Sequence, residues 1–361
     1  MIEKILIKNY KSIRDLELEL KPLNILIGSN GAGKSNFISF FQLVYSIFEQ
    51  KLQSFVIERG IDNLLYFGRK KSNEIIGLID FDNTNAMFFS LKPTQTNKAY
   101  INQLGDYFNN LTVNGKDYNH WNQKIWDTGV EETNLKQRIE SRAEYIQTYL
   151  DSFKLYHFHE TSVNSKMKTP CNIGDNRVLR EDGSNLAAFL FYLKNKHEKS
   201  YKKIEAIVRS IAPYFERFDL EPDKNKETQI QLEWKEKNSD MYLNAHNFSD
   251  GTLRFIALTT LLLQPEPPKT IIIDEPELGL HPFALNKLSG LIRSASICSQ
   301  VIVSTQSVNL VNHFEPENII VVDREQNQSV FKRPNVAELK SWLEEYSLGD
   351  LWEKNMLGGQ P

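Results

Sequence analysis

"LNILIGSNGAGKSNFISFF", residues 23–41, decides how the rest of the chain is read. Gly28-Ser29-Asn30-Gly31-Ala32-Gly33-Lys34-Ser35 fits the phosphate-binding pattern G-x-x-x-x-G-K-[ST] at every position. The flanks fit as well. Leu23 to Ile27 is an apolar run that reads as a buried strand, and Asn36-Phe37-Ile38-Ser39-Phe40-Phe41 opens a helix. Strand, glycine-rich turn and helix start place backbone N–H groups around an anion at the positive end of the helix. Glycines permit that wrap because no Cβ stands in the way. Lys34 is expected to neutralise β- and γ-phosphates and the Ser35 hydroxyl to ligate Mg²⁺. Asn30, Gly31, Ala32, Gly33 and Asn36 are expected to supply the remaining nucleotide contacts. A chance glycine-rich turn is the competing reading, and eight fitting residues in this setting count against it.

Bulk properties narrow the class. The 361 residues suffice for two or three domain-sized units or one elaborated domain. A hydrophobic share of 40% and a charged share of 25% are ordinary for a globular chain. No apolar run approaches a membrane span, and Met1-Ile2-Glu3-Lys4 reads as a strand rather than a signal peptide. A cytoplasmic protein without a membrane partner is expected. Cys171 and Cys298 stand far apart with no metal-ligand spacing, which argues against a disulfide framework or structural zinc. A net charge of −3 gives no global pull toward nucleic acid, so any such contact needs a local patch.

Residues 2–8 and 15–20 read as strands, the second alternating polar and apolar. A first helix is expected at about 35–58, followed by a turn-rich link at 60–68. Short strands are expected at 74–92 and 98–114, a helix at 131–150, and a strand running into a polar loop at 153–162. Two helices follow at 184–213 and a strand at 228–236. "HNFSDGTLRFIALTTLLLQ" (246–264) sets a Ser-Asp-Gly turn at the head of an apolar helix. "KTIIIDEPELGLHP" (269–282) is a buried strand ending in two acids; then come a helix at 283–296, a buried strand at 300–307 and an edge strand at 318–325. Strands alternating with helices argue for a parallel sheet in an α/β layer fold.

The acid pair closes the site. Ligands sit at the carboxyl ends of strands in open parallel sheets, so Asp274 is expected in the Mg²⁺ shell. Glu275 is expected to orient and deprotonate the attacking water. A plain strand-end turn fits Asp-Glu-Pro alone, and an ordinary N-cap fits Ser249-Asp250-Gly251 alone. The phosphate loop upstream, and the helix joining the two motifs, favour the functional reading.

Phosphate loop, Ser-Asp-Gly turn, Asp274-Glu275-Pro276-Glu277-Leu278-Gly279-Leu280-His281-Pro282 and Ser304-Thr305-Gln306-Ser307 together resemble an ABC-type ATPase head of the RecF, SMC and OLD-like group. "YHFHETS" (156–162), "DGSNLAAFL" (182–190) and "WLEEYSLGDLWEKNMLGG" (342–359) are similar to its predicted-ATPase subgroup, called AAA family ATPases. The resemblance implies an α/β P-loop NTPase head with a mostly parallel sheet, a helical signature lobe and a compact mixed insertion. It implies residues 1–70 and 236–361 as the two parts of the head and 71–235 as the insertion. It also implies ATP and Mg²⁺, and a head-to-tail homodimer in which Ser249, Asp250 and Gly251 cap the γ-phosphate held by the other copy. Gly279, Leu280 and His281 would cross that interface. Two departures stand out. Where such heads usually carry a switch His this chain has Gln306, which hydrogen-bonds but takes no proton. Sustained heptads are missing between Ser35 and Ser249, so no long coiled coil is expected. His159-Glu160-Thr161-Ser162 is the candidate for the loop that usually reaches metal and water, with a surface turn as the alternative. Lys11, Ser12 and Arg14 are candidates for the base or α-phosphate.

Lys194, Lys196, Lys199, Lys202 and Lys203, around Tyr201, form the densest basic cluster. It fits a duplex DNA backbone, though a solvated helix face explains it too. Trp342 and Trp352 are expected to dock the C-terminal segment onto the core. Two functions emerge. One is an ATPase with Glu275, Lys34 and Gln306 as catalytic residues, working in DNA repair or anti-phage defence. The other is a slow ATP-gated module that licenses a separately encoded effector such as a nuclease. A transporter subunit is disfavoured by Ser-Asp-Gly in place of the transporter-like Ser-Gly-Gly.

Overall fold

A computed structural model describes residues 1–82, 84–109, 121–223 and 225–360 of the chain. It resolves into two compact units, Met1–Phe153 with Glu315–Pro361, and Lys154–Phe314.

The first unit opens with β1 (Ile2–Tyr10) and β2 (Ile13–Glu19), an antiparallel pair. In β2, Ile13, Leu16 and Leu18 are buried while Arg14, Asp15, Glu17 and Glu19 are exposed, as alternation predicts. β3 (Leu23–Ile27) is buried at all five positions, as a strand covered on both faces must be. α1 (Lys34–Phe48) follows the glycine-rich loop. The helix expected to reach 58 breaks instead at Gln50, which takes a φ of 56°, and restarts as α2 (Leu52–Arg59). The expected link at 60–68 holds a one-turn helix, α3 (Ile61–Leu64). β4 (Ile75–Phe81), β5 (Asn85–Pro93), β6 (Ala99–Asn109) and β7 (Trp121–Asp127) complete a sheet ordered β2-β1-β4-β5-β6-β7, antiparallel at every pairing. Residues 110–114 of the expected strand lie outside the described residues. The helix expected at 131–150 is present only as α4 (Ser141–Leu150). Before it, Arg138 donates to Trp126 O and Asp127 Oδ1, and Thr133 Oγ1 to Asp127 Oδ2; these ties to β7 hold the segment off a helical path. Between α1 and the strands lies an aromatic core. Phe40 meets Tyr10 at 5.8 Å and Phe89 at 5.9 Å between ring centroids, and Phe41 meets Phe153 at 5.7 Å.

β8 (Phe153–Tyr156) leads into the second unit. There β9 (Cys171–Asn172) precedes α5 (Leu186–Lys196) and α6 (Glu198–Ile211), then β10 (Phe215–Phe218), β11 (Pro222–Asp223), β12 (Lys226–Ile230), β13 (Glu233–Glu236) and β14 (Tyr242–Asn244). The single strand expected at 228–236 is therefore two. β12 pairs with β11 and β9, whereas β13 pairs with β10 and β14, with Ile230 and Leu232 both buried at the crossing. α7 (Asp250–Leu263) is buried along most of its length, which its all-round apolar character demands. β15 (Thr270–Asp274) runs parallel to β16 (Gln300–Ser304), Thr270 opposite Gln300 and Asp274 opposite Ser304, with α8 (Pro282–Ala295) as the crossover. α9 (Val308–Val311) ends the unit.

The chain returns to the first unit with β17 (Ile319–Glu325) and β18 (Gln328–Lys332), then α10 (Val336–Leu339) and α11 (Leu348–Glu353). The edge strand expected at 318–325 is an interior one: β17 pairs in parallel with β3 and antiparallel with β18, which takes the outer place. Trp352 docks the C-terminal segment, fully buried, its Nε1 donating to Gly359 O at 2.5 Å. Trp342 does not dock; it is 44% exposed beside Tyr346. Among the described residues the longest helix is α1, at 15 residues, and no helix is long and apolar enough to cross a membrane.

Candidate functional site

The phosphate loop lies within the first unit, between β3 and α1. Lys34 is buried at the head of α1, its Nζ donating to Gly28 O at 2.6 Å and Ser29 O at 3.0 Å, so the ammonium points into the loop it must serve. Gly33 sits at φ 123°, and a Cβ there would fall 2.0 Å from Ser329 Oγ; only glycine fits. That serine is part of a polar support beneath the loop. Ser329 Oγ donates to Ala32 O at 2.5 Å and pairs with Ser12 Oγ at 2.6 Å, and Asn36 Nδ2 donates to Ser12 Oγ at 2.7 Å. Ser35, Asn30 and Gly31 are exposed, leaving the hydroxyl and the rim of the loop open to a ligand. Beside the loop lies an open cleft of about 750 Å³ lined by Lys11, Ser12, Asn36, Asp62, Phe67 and Arg324 among others. Lys11 and Ser12 thus stand where a nucleoside could lie. Arg14 is exposed on β2 and is not part of that lining. Asp62 is already engaged by Arg69, which lowers its carboxyl below the usual range.

The acid cluster lies within the second unit, at the carboxyl ends of β15 and β16. Glu275 leaves β15 with φ 42°, a left-handed conformation that is strained for a residue with a Cβ. Its N–H donates to Ser304 O at 2.8 Å, and Gln306 Nε2 donates to its Oε1, so the Glu275 and Gln306 side chains form a hydrogen-bonded pair. Glu277 holds the switch segment from below: Thr305 Oγ1 donates to its Oε1 at 2.6 Å and Gln306 N–H at 3.0 Å. Burial, the larger effect, pushes the Glu277 carboxyl above its usual value. Asp274 Oδ1 is buried without a hydrogen-bond partner. His157 and His159, just past β8, present ring nitrogens beside that carboxylate, one donor atom from each of the three lying within 4.8 Å of the others. Burial holds the His157 imidazole below its ordinary value, against an upward pull from Asp274. Within the candidate loop 159–162, His159 therefore faces Asp274, whereas Glu160 is exposed and accepts Ser162 N–H at 2.9 Å.

Ser249 is the N-cap of α7, its Oγ accepting Thr252 N–H at 3.1 Å, so the ordinary capping role is filled. Asp250 pairs with buried Lys168 at 3.2 Å. Gly251 meets the loop after the acid pair: a Cβ on it would fall 2.1 Å from Gly279 O. His281 is exposed and caps α8, accepting Phe283 N–H at Nδ1 over 3.3 Å. Two residues of this region went unread in the sequence. Arg254, buried in α7, donates to Phe158 O at 2.9 Å, to His159 O at 3.0 Å and to Leu278 O, fastening the signature helix to both loops. Its signal was a lone cation inside "TLRFIALTTLLL". Glu277 was visible as a second acid two residues beyond Glu275.

Each unit carries groups whose own chemistry fits part of a Mg²⁺–nucleotide: the first a wrapped loop with an inward ammonium and an exposed hydroxyl at the helix head, the second a buried carboxylate oxygen without a hydrogen-bond partner. Fold and motifs together define a P-loop ATPase head related to the ABC and SMC heads. The fold is similar to the Smc head bound to the C-winged helix domain of ScpA, with a TM-score of 0.62 at 15% identity over 94% of this chain and 99% of that one. The chain belongs to the family described as "AAA domain, putative AbiEii toxin, Type IV TA system", whose model matches residues 23–312. It is 22% identical over 301 residues to an ATP/GTP phosphatase of Helicobacter pylori, covering 78% of this chain and 77% of that protein. It is 32% identical over 139 residues to the uncharacterized protein MJECL10 of Methanocaldococcus jannaschii, covering 35% and 58%. The chain spans between 11% and 58% of the length of the first curated relatives it matches.

Proposed function

We propose that this chain binds ATP with Mg²⁺, hydrolyses it, and uses the nucleotide to draw two copies together head to tail. The observation that carries the reading is the complete phosphate loop, wrapped around the Lys34 ammonium at the head of α1. On binding, Lys34 exchanges the carbonyls of Gly28 and Ser29 for phosphate oxygens. Ser35 and Asp274 hold the cation, whose charge offsets that of the β- and γ-phosphates when bound. Glu275, oriented by Gln306, takes a proton from water as the water oxygen bonds to the γ-phosphorus and the bond to the ADP oxygen breaks. Asn30, Gly31, Ala32, Gly33 and Asn36 line the nucleotide's path, and the cleft at Lys11 and Phe67 receives the nucleoside. Ser249, Asp250, Gly251 and His281 act on the ATP of the other copy. Residues 1–70 and 236–361 supply the head, and 71–235 the lobe that adapts it to a partner.

In this reading the protein is cytoplasmic and works in DNA repair or anti-phage defence. Duplex DNA would follow the exposed lysines of α5 and α6; Tyr201 lies buried in α6 and takes no part. A second reading is favoured by Gln306, which pairs with Glu275 but cannot take a proton from it. Turnover would then be slow, and ATP would gate a separately encoded effector such as a nuclease. Steady-state ATP turnover with and without duplex DNA, beside Glu275→Gln, tests both. Several-fold stimulation absent in the variant supports DNA as the ligand; a slow rate indifferent to DNA supports the gated module. No turnover and no ATP binding would overturn the proposal.

A further inference from the structure

We propose that His157, His159 and Asp274 form a binding site for a borderline divalent transition-metal ion, of the Co²⁺ or Zn²⁺ kind, that fills without nucleotide. One donor atom from each residue lies within 4.8 Å of the other two. Ligands of a tetrahedral ion at roughly 2.0–2.2 Å sit about 3.4 Å apart, so side-chain rotation of about an ångström closes the set. The two histidines are two residues apart just past β8, and their rings lie on a shared side, close to one another. Their ring centroids are 5.8 Å apart.

The surroundings are those of a fixed ligand set rather than a loose surface cluster. Asp274 is anchored at the end of β15 opposite Ser304, and its Oδ1 is buried with no hydrogen-bond partner, a lone pair that burial leaves costly unless something positive meets it. The backbone that presents the imidazoles is clamped. His157 N–H donates to Glu181 O at 2.9 Å, and the Arg254 guanidinium holds the carbonyls of Phe158 and His159 at 2.9 and 3.0 Å. A buried arginine fastened to His159 and to the residue between the two histidines, with Glu181 holding His157, fixes the backbone from which both rings meet Asp274.

Chemistry selects the ion. Mg²⁺ favours oxygen donors and keeps its waters, whereas two imidazoles and one carboxylate suit Zn²⁺ or Co²⁺. Three protein ligands leave a coordination position open for water or a phosphate oxygen. The site shares Asp274 with the ATPase reading but does not rest on it, because all three donors belong to the second unit.

The test uses the untagged full chain, stripped with chelator and free of nucleotide. Titration with Co²⁺ is followed by visible absorption, and with Zn²⁺ by calorimetry. One equivalent of ion should bind, at least about a hundred-fold more tightly than Mg²⁺. His157→Gln, His159→Gln and Asp274→Asn should each weaken binding by at least about ten-fold. The double histidine variant should lose it while keeping the wild-type melting profile. Lys34→Ala should bind the ion as wild type does, even when it has lost ATP; that result separates this site from the nucleotide site. Absence of saturable binding, or equal binding by a folded double histidine variant, overturns the proposal.

Discussion

The phosphate loop and the acid cluster are built on opposite principles. In the loop, the key charged group is satisfied in advance: Lys34 Nζ has carbonyl partners, and Ser12, Asn36 and Ser329 brace the turn from below. In the acid cluster, groups are held with their needs unmet. Asp274 Oδ1 and Glu277 Oε2 are buried without hydrogen bonds, and Glu275 sits in a strained backbone conformation. On the proposed function, the loop is a preformed receptor in which Lys34 would trade carbonyls for phosphate. The acid cluster stores unfavourable free energy that a cation and a phosphate can relieve. On the proposed function, binding would belong mainly to the loop and chemistry mainly to the acids.

The largest expected effect follows directly. Lys34→Ala should reduce ATP affinity by at least about a hundred-fold, because a buried charge-assisted partner of the phosphates is lost. Equilibrium binding of a fluorescent ATP analogue measures it, and retained micromolar affinity would break the division. Glu275→Gln should lower turnover by about 10²- to 10³-fold while ATP affinity stays within a few-fold of wild type. If affinity fell with turnover, the acids would belong to binding as well. A pair of glycine substitutions comes next. Gly251→Ala drives a Cβ to 2.1 Å from Gly279 O, and about 1–3 kcal/mol of destabilisation is expected in a melting experiment. Gly290→Ala in α8 meets nothing within 4 Å and should stabilise by roughly 0.5–1 kcal/mol.

The smallest effect is one of pH. Burial raises the Glu277 carboxyl, so the folded chain holds that proton more tightly than the unfolded chain. The stability this brings is full below the ordinary glutamate value and is lost as pH rises through the raised one. Glu277→Gln keeps an acceptor for Thr305 and Gln306 but does not titrate. Its melting temperature, followed upward in pH from the ordinary glutamate value, should fall less than wild type's. An identical slope would show that Glu277 is not the group that titrates.

The same contrast explains what the sequence disclosed. The loop is local, with receptor, strand and helix contiguous in 23–41, and β3 falls where the apolar run placed it. The acid cluster is assembled from distant segments: His157 and His159 meet Asp274 across more than a hundred residues, and no spacing rule encodes that. Arg254 was passed over because a cation in an apolar helix reads as an irregularity until its three carbonyl partners are seen. β17 reads as an edge strand in the sequence, and its last residues, Asp323, Arg324 and Glu325, are charged. Those residues pair with β18, whose two-residue turn at Gln326-Asn327 lies at positive φ and carries no glycine to announce a hairpin. The long helix expected after the loop failed at Gln50 for a similar reason: a left-handed residue that is not glycine.

The central claim is that ATP, held by one copy's loop and capped by the other's signature turn, joins two chains. Light scattering on Glu275→Gln with ATP and Mg²⁺, beside the same protein without nucleotide, tests it most directly. A doubling of mass that requires ATP and disappears when Lys34→Ala is added is the expected result. A Glu275→Gln protein that binds ATP yet keeps the mass of a single chain would contradict it.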